Sequence, residues 1–331
     1  MMLRRRECLS GLGLLVAGWV INPGLALAGG ERASRHLMGT RVDILLPDAR
    51  GFTTAIEAAW TEMSRLERQM SRFRSESLVS ALHRRAGHGA VEASPELLAV
   101  LRRAHTLAER TDGDFDISVG AYDGWSFDPI HPRRPTAEEL REEQRLVNHR
   151  DVRIQGRHVH LAKTGMRIDL GGVAKLPILQ AGMQTLAQHG VQNAMINGGG
   201  DVITRGQLHG QDWRVGLRDP RAPDRLLGVI PMRDGCVAAS GDYERSFQVD
   251  GRRYHHVLNP RSGWPAEGVR GVVLVARDAA SLNGWGAAIM ASGPGRGRDL
   301  LASLSGLDGL LVTSDGGIHT SGRLTQRMNR A

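Results

Sequence analysis

Between positions 168 and 201 the chain carries two glycine-rich turns and one lysine, a combination suited to holding a phosphate group. Asp-Leu-Gly-Gly at 169–172 comes first, and glycine lets backbone amides approach a ligand closely because it has no Cβ. Lys175 opens a helical run that ends at Gly190, and the free N–H groups of a helix N-terminus suit a phosphate or pyrophosphate. Asn-Gly-Gly-Gly-Asp at 197–201 follows a short apolar strand. The stretch therefore indicates either a cofactor cradle or two ordinary turns.

The first 28 residues have the composition of an export signal. Three arginines at 4–6 precede a moderately apolar run that ends Leu-Ala-Leu-Ala at 25–28, the order of a cleavable secretory signal. Paired arginines followed by x-x-Leu are similar to the twin-arginine motif, although Cys8 stands where that motif prefers phenylalanine. A retained membrane anchor is the alternative, but Asn-Pro-Gly at 22–24 interrupts a run that is already short for a span. We expect a periplasmic mature domain over 29–331 that meets the membrane only during export.

Composition excludes some classes of protein. The 331 residues are 41% hydrophobic and 24% charged, which is enough core for one large domain or two small ones. Only Cys236 would remain after cleavage, so no internal disulfide can form, and a lone cysteine in an apolar stretch is usually a small core residue. The net charge of +8 is spread along the chain without a basic helix, so we do not expect nucleic acid as a partner.

The apolar pattern predicts helices and strands that do not alternate strictly. Ile56, Trp60 and Met63 recur at helical spacing and predict a helix over 53–70. Further helices are predicted from Pro95 onward and over 137–146, 279–290 and 300–304. Strands are predicted over 41–46, 152–154, 159–161, 194–196, 213–217, 228–231, 272–276 and 310–313. This order favours an α+β layered fold over a doubly wound one.

Five separated motifs occur in the order in which they are found in the ApbE family, the FAD:protein FMN transferases of bacterial envelopes. They are Met-Gly-Thr at 38–40, Phe-Asp-Ile-Ser-Val-Gly at 115–120, Ile-Asp-Leu-Gly-Gly-Val-Ala-Lys at 168–175, Asn-Gly-Gly-Gly-Asp at 197–201 and His-Val-Leu-Asn-Pro-Arg-Ser-Gly at 256–263. Each motif is weak alone, but five in order with fitting separations are specific. The chain thus resembles an ApbE protein from about Met38 to Gly293, which implies a layered α+β domain, related to the T-fold, with mixed sheets flanked by helices.

The resemblance also implies a chemistry. ApbE proteins split FAD at its pyrophosphate and place FMN on a threonine hydroxyl of a partner flavoprotein, using magnesium. His256 matches a histidine proposed as the base towards that threonine, and a turn-supporting histidine is the alternative. His255 should point elsewhere on an extended strand, so the pair is a poor metal site. The FAD contacts implied by the resemblance are Met38, Asp114, Phe115, Asp116, Asp169, Lys175 and Leu258.

The implied metal site departs from the family pattern. The resemblance places metal contacts at the Gly172 carbonyl, Asn283 and Ala287, where the family carries an aspartate and a threonine at the last two positions. Magnesium prefers hard, anionic oxygen ligands, whereas an amide offers a neutral oxygen and alanine offers none. We therefore expect the magnesium site to be weakened or lost.

Two classes of function stay open at this point. The first is an FMN transferase that modifies an exported flavoprotein of the cell envelope. The second is a non-catalytic FAD-binding accessory or maturation factor for a periplasmic respiratory reductase. A flavin-dependent oxidoreductase is less favoured, because no nicotinamide-binding fingerprint is present. The sequence favours the transferase, because the diglycine, Lys175 and His256 are all retained.

Overall fold

The computed structural model describes residues 30–47, 51–128 and 130–329. The predicted export signal at 1–28 lies outside the described residues. Within the described segments, no helix combines the length and the apolarity needed to cross a membrane.

The helices and strands follow the expected α+β order. The helices are α1 (Thr53–Met70), α2 (Leu78–Arg85), α3 (Pro95–Arg110), α4 (Ala137–Gln144), α5 (Lys175–Gln188), α6 (Ala279–Leu282), α7 (Trp285–Ala291), α8 (Gly293–Ser303) and α9 (Leu324–Arg327). The strands are β1 (Glu31–Leu37), β2 (Thr40–Leu46), β3 (Val91–Glu92), β4 (Val152–Gln155), β5 (His158–Leu161), β6 (Ala194–Gly198), β7 (Asp201–Arg205), β8 (Trp213–Asp219), β9 (Ala222–Met232), β10 (Gly235–Gly241), β11 (Ser246–Val249), β12 (Arg252–His255), β13 (Val269–Ala276), β14 (Asp308–Thr313) and β15 (Ile318–Ser321).

An eight-stranded antiparallel sheet forms the centre, in the order β1-β2-β6-β7-β10-β13-β14-β15. Helices cover one face, where the apolar sides of α1 and α5 meet β2 and β6 in the larger core. The ribbon β8–β9 covers the other face with Trp213, Val215 and Ile230. Both faces of the sheet are therefore buried, and the predicted fold class is confirmed.

Local sequence explains the helices that were predicted well. Helix α1 spans the predicted range and buries Ile56, Trp60 and Met63 on one side. Helix α3 begins at Ser94, whose side chain accepts the N–H of Leu97 at 3.2 Å and so caps the first turn.

The prediction of one helix over 279–290 is wrong, because the chain forms α6 and α7 with a break at Gly284. Gly284 has a φ of +83°, and a Cβ there would lie 2.2 Å from Leu107 Cδ1 and 2.8 Å from Val173 Cγ1. Glycine is needed both for the left-handed backbone and for the close approach. The break turns Asn283, 5% exposed, into the interior.

The ribbon β11–β12 is held mainly by aromatic packing. Among the described residues it pairs with no third strand, and a two-stranded ribbon is marginal by itself. The rings around it, called here the aromatic cluster, are Trp125, Phe127, Phe247, Tyr254 and Trp264. Phe247 stacks on Tyr254 with centroids 5.5 Å apart, and Trp264 meets Trp125 edge-on at 5.6 Å. The cluster therefore ties the ribbon to the segments that carry Trp125 and Trp264.

Close packing of α1 on α5 depends on Gly182, where a Cβ would lie 2.7 Å from Met63 Sδ. We expect Gly182→Val to lower the free energy of unfolding by about 1–3 kcal/mol, because the branched side chain overpacks this contact. Urea denaturation measures the change. Gly295→Ala is the matched control, since nothing lies within 4 Å of its Cβ position, and it should be neutral or stabilising. Equal effects of the two substitutions would contradict the packing argument.

Candidate functional site

The turn at 168–172 is clamped from several directions. The N–H of Ile168 donates to His83 Nε2 at 3.0 Å, and the N–H of Asp169 donates to the Ile117 carbonyl at 2.7 Å. The Asp169 carboxylate accepts the Gly171 N–H at 2.7 Å and Arg72 Nη1 at 2.9 Å. Burial would raise the pKa of Asp169, but Arg72 and the Gly171 N–H hold it below its usual value. Asp169 is therefore a fixed anion at this turn.

Lys175 stands at the first position of α5 and forms an ion pair across to the sheet. Its Nζ lies 3.4 Å from Asp201 Oδ2, with the two side chains 23% and 10% exposed. Asp201 Oδ1 also accepts the Ala239 N–H of β10 at 3.1 Å. Burial would lower the pKa of Lys175, but Asp201 and Glu244 raise it above its usual value. The ammonium is thus kept charged at the helix N-terminus.

The glycine run at 197–201 is a hairpin turn between β6 and β7. Gly198 pairs with Asp201, and the two residues between them, Gly199 and Gly200, have φ of +62° and +102°. These two φ values match the kind of two-residue hairpin turn that requires a positive φ at both central positions. Of the two interpretations, cofactor cradle or ordinary turn, the ordinary turn fits residues 197–201. The residue that this turn contributes to the site is Asp201.

His256 follows β12 directly and carries a neutral imidazole. Its N–H donates to the Arg245 carbonyl at 3.1 Å, and its Nδ1 is buried without a partner among the described residues. Burial, together with the charges of Arg245 and Lys175, lowers the pKa of His256 to about 3. Neighbouring His255 points elsewhere, as expected, with Nε2 donating to the Ala266 carbonyl at 2.8 Å. His256 is therefore unprotonated at neutral pH, and so low a pKa makes it a weak base while the site holds no ligand.

Arg245 joins these groups into one site. Its Nη2 donates to the Met38 carbonyl at 3.2 Å, in the β1–β2 turn where Met38 has a φ of +55°. Its charge acts on Asp169, Lys175 and His256, which places all four groups in one neighbourhood. The site can therefore hold an anionic ligand next to the cations of Lys175 and Arg245 and the neutral imidazole of His256.

The sequence model of the ApbE family matches residues 38–311 of this chain. The chain belongs to the ApbE family.

Similar ApbE proteins are known by sequence and by structure. The FAD:protein FMN transferase of Treponema pallidum is 29% identical over 293 residues, covering 83% of this chain and 81% of that protein. The FAD:protein FMN transferase of Klebsiella pneumoniae is 30% identical over 247 residues, with coverage of 73% and 77%. The crystal structure of the ApbE protein of Thermotoga maritima superposes with a TM-score of 0.84 at 30% identity, covering 91% of this chain and all of that one.

Other residues predicted from the ApbE resemblance lie around the edge of this site. Asp114 is 8% exposed and pairs with Arg261 at 3.1 Å and Arg296 at 2.7 Å. The Asp116 carboxylate accepts the Ser118 N–H at 2.7 Å, the Ser118 hydroxyl at 2.6 Å and the His149 N–H at 2.7 Å. These bonds tie the Asp116 carboxylate to its own loop and to the segment at His149, so its role in this structure is to position the loop. Leu258 pairs with Pro265 across the turn that follows His256.

The residues at the implied metal site do not fit a magnesium ion. A Cβ at Gly172 would lie 3.2 Å from the Phe115 ring and 3.3 Å from the Ala287 methyl, so carbon atoms cover the side of Gly172 where a side chain would stand. Asn283 Nδ2 donates to the Val173 carbonyl at 2.9 Å. The atom of the Asn283 side chain that faces the diglycine turn is therefore a hydrogen-bond donor and not an oxygen. The described residues contain no group of three or more His, Cys, Asp or Glu placed to hold a metal. A hard dication finds too few oxygen ligands here.

Three charged residues of the site were missed from the sequence. Arg72, Glu244 and Arg245 belong to segments with no periodic pattern, and their partners lie far along the chain. Burial raises the pKa of Glu244 to about 7, against the opposing effect of Lys175. The glycine motifs predicted where the site lies, but not which charges surround it.

The Lys175–Asp201 pair gives a stability prediction. Asp201→Asn keeps an acceptor for Ala239 but leaves Lys175 without this partner, so the free energy of unfolding at pH 7 should fall by about 1–3 kcal/mol. The pKa of Lys175 is raised, so the pair stabilises the protein below the usual lysine pKa and is lost as pH rises through the folded value. The stability of variant and wild type should therefore converge above a pH of about 10.4, measured by urea denaturation.

Asp219→Asn is the matched control. Asp219 pairs with Arg221 at 2.7 Å, and arginine keeps its charge at alkaline pH. Any loss of stability caused by Asp219→Asn should therefore remain when the pH is raised above the lysine pKa. An Asp201→Asn loss that stays constant up to high pH would show that Lys175 is not the partner that matters.

Proposed function

We propose that this ApbE-family chain is an FAD:protein FMN transferase that attaches FMN to a threonine of an exported flavoprotein. The observation that carries the proposal is the neutral imidazole of His256 beside the cations of Lys175 and Arg245. The curated relatives are named FAD:protein FMN transferase, and a similar solved protein from Vibrio cholerae is named a flavin transferase. FAD as substrate and a protein as acceptor follow from these names.

The site supplies positioning and charge, which is what phosphoryl transfer requires. The threonine oxygen forms a bond to the phosphorus of the FMN half, the pyrophosphate P–O bond breaks, and AMP leaves. Lys175 and Arg245 offset the negative charge of the diphosphate. His256 takes the proton from the threonine hydroxyl, and the resulting imidazolium is stabilised by Asp169 and by the bound diphosphate. Before FAD binds, burial and the two cations hold the pKa of His256 low, and the negative charge of the bound diphosphate raises its basicity.

We further propose that the mature protein works in the periplasm, on an acceptor in the cell envelope, after export by the twin-arginine pathway. The support is the order of arginines, apolar run and Leu-Ala-Leu-Ala in the first 28 residues. In this proposal the membrane is met only during export.

The second candidate is a non-catalytic FAD-binding accessory or maturation factor for a periplasmic respiratory reductase. The observation that favours it is the presence of Asn283 and Ala287 where the family carries an aspartate and a threonine, because the ApbE family uses magnesium in the transfer. Retention of His256, with an unprotonated imidazole, favours the transferase.

A transfer assay separates the two candidates. The mature protein is mixed with FAD, magnesium and a threonine-bearing fragment of a periplasmic flavoprotein, and mass spectrometry measures whether the fragment gains one FMN. We expect transfer by the wild type and none by His256→Ala, with FAD binding retained in both. Tight FAD binding without transfer would favour the accessory factor, and the absence of FAD binding would exclude both.

The titrating groups predict an unusual pH profile. His256 has a pKa of about 3, so its protonation cannot reduce kcat/KM for FAD between pH 8 and pH 5. Glu244, with a pKa of about 7, loses its negative charge over this interval, which removes repulsion towards the diphosphate. We expect kcat/KM for FAD to rise as pH falls from 8 to 6, and Glu244→Gln to abolish the rise. A decrease centred near pH 6.5 in both proteins would show that His256 titrates normally.

A further inference from the structure

Asn283 ties three parts of the site together from the interior. Its Nδ2 donates to the Val173 carbonyl in the turn before α5, and its backbone carbonyl accepts Arg103 Nε of α3 at 2.9 Å. It stands at the break between α6 and α7 and is 5% exposed. The amide N–H is thus a structural link between α7 and the diglycine turn.

A carboxylate at this position would behave in the opposite way. It has no proton to donate, so an aspartate oxygen would face the Val173 carbonyl oxygen across the 2.9 Å that now separates donor and acceptor. Such an arrangement is stable when a cation lies between the two oxygens or when the carboxyl group takes up a proton. The amide satisfies the same carbonyl without any ion.

The rest of this spot agrees with the absence of an ion. One turn along α7, Ala287 presents a methyl group close to Gly172, and the Phe115 ring closes the other side. The positive charge of the site lies elsewhere, on Lys175 at the start of α5 and on Arg245 beside the Met38 carbonyl.

We propose that the Asn283 amide takes the place of a divalent cation in this chain, and that Lys175 and Arg245 carry the positive charge facing the FAD diphosphate. FAD therefore binds without magnesium. The choice of FAD as the ligand rests on the proposed function, whereas the structural role of Asn283 does not.

The first test compares FAD binding in EDTA and in magnesium, using fluorescence quenching with the mature protein. The dissociation constant of the wild type should change by less than about twofold between the two buffers, since a tenfold change corresponds to the loss of one substantial interaction. Arg245→Gln should weaken FAD binding about tenfold in both buffers. Wild-type binding that is ten times weaker in EDTA would overturn the proposal.

The second test reads the Asn283 link through thermal stability, without FAD. Asn283→Asp should lower Tm by about 4 °C in EDTA, because the carboxylate meets the Val173 carbonyl. In the double variant Asn283→Asp/Ala287→Thr, magnesium should restore most of that loss, since two oxygen ligands have been added. Wild-type Tm should not respond to magnesium. A wild-type Tm that rises with magnesium, or an Asn283→Asp variant as stable as wild type in EDTA, would contradict the proposal.

Asn193→Asp is the control for the added charge. Asn193 uses its Oδ1 to accept the Gln207 N–H at 2.8 Å, so an aspartate keeps that bond, and its Tm should be close to wild type in either buffer. If FAD binds in neither buffer, the transferase proposal fails, while the melting experiment still decides the role of Asn283.

Discussion

The site depends on one constraint, which is that a largely buried ammonium at a helix N-terminus needs an anion. Both the helix dipole and burial act against the charge of Lys175, and the carboxylate of Asp201 at 3.4 Å, with Glu244 nearby, raises the pKa of Lys175 above its usual value. Asp201 can serve because the β6–β7 hairpin and strand β10 hold it from two sides. The central sheet therefore fixes the position of a charge that the helix alone would not retain.

That fixed lysine also acts on its neighbours. Burial is the main cause of the low pKa of His256, Arg245 and Lys175 lower that pKa further, and Arg72 pairs with Asp169 on the same site. A ligand carrying two phosphates changes this balance at once, because it brings negative charge to the cations and so makes proton uptake by His256 easier. Binding of the substrate and readiness of the base are thus coupled through charge.

Local patterns predicted the parts of the fold that local physics controls. The range of α1 follows from its apolar spacing, the start of α3 from Ser94, and the inert Cys236 from its apolar surroundings, where burial raises the thiol pKa to about 12. The break at Gly284 was missed because it depends on contacts with Leu107 and Val173, far away in sequence. Strand β10 and the charges Arg72, Glu244 and Arg245 were missed for the same reason. Contacts between residues that are far apart in the chain leave no periodic pattern in the sequence.

The aromatic cluster gives His256 an unusual kind of support. The ribbon that ends beside the imidazole is tied to the protein through rings from three segments, with Trp125 Nε1 also donating to the Gly263 carbonyl at 2.9 Å. Ring contacts of this kind are separate from the hydrogen-bonded ladder of the central sheet. Heating can therefore loosen the ribbon before the sheet unfolds, so the alignment of the base and the folding of the sheet depend on different contacts.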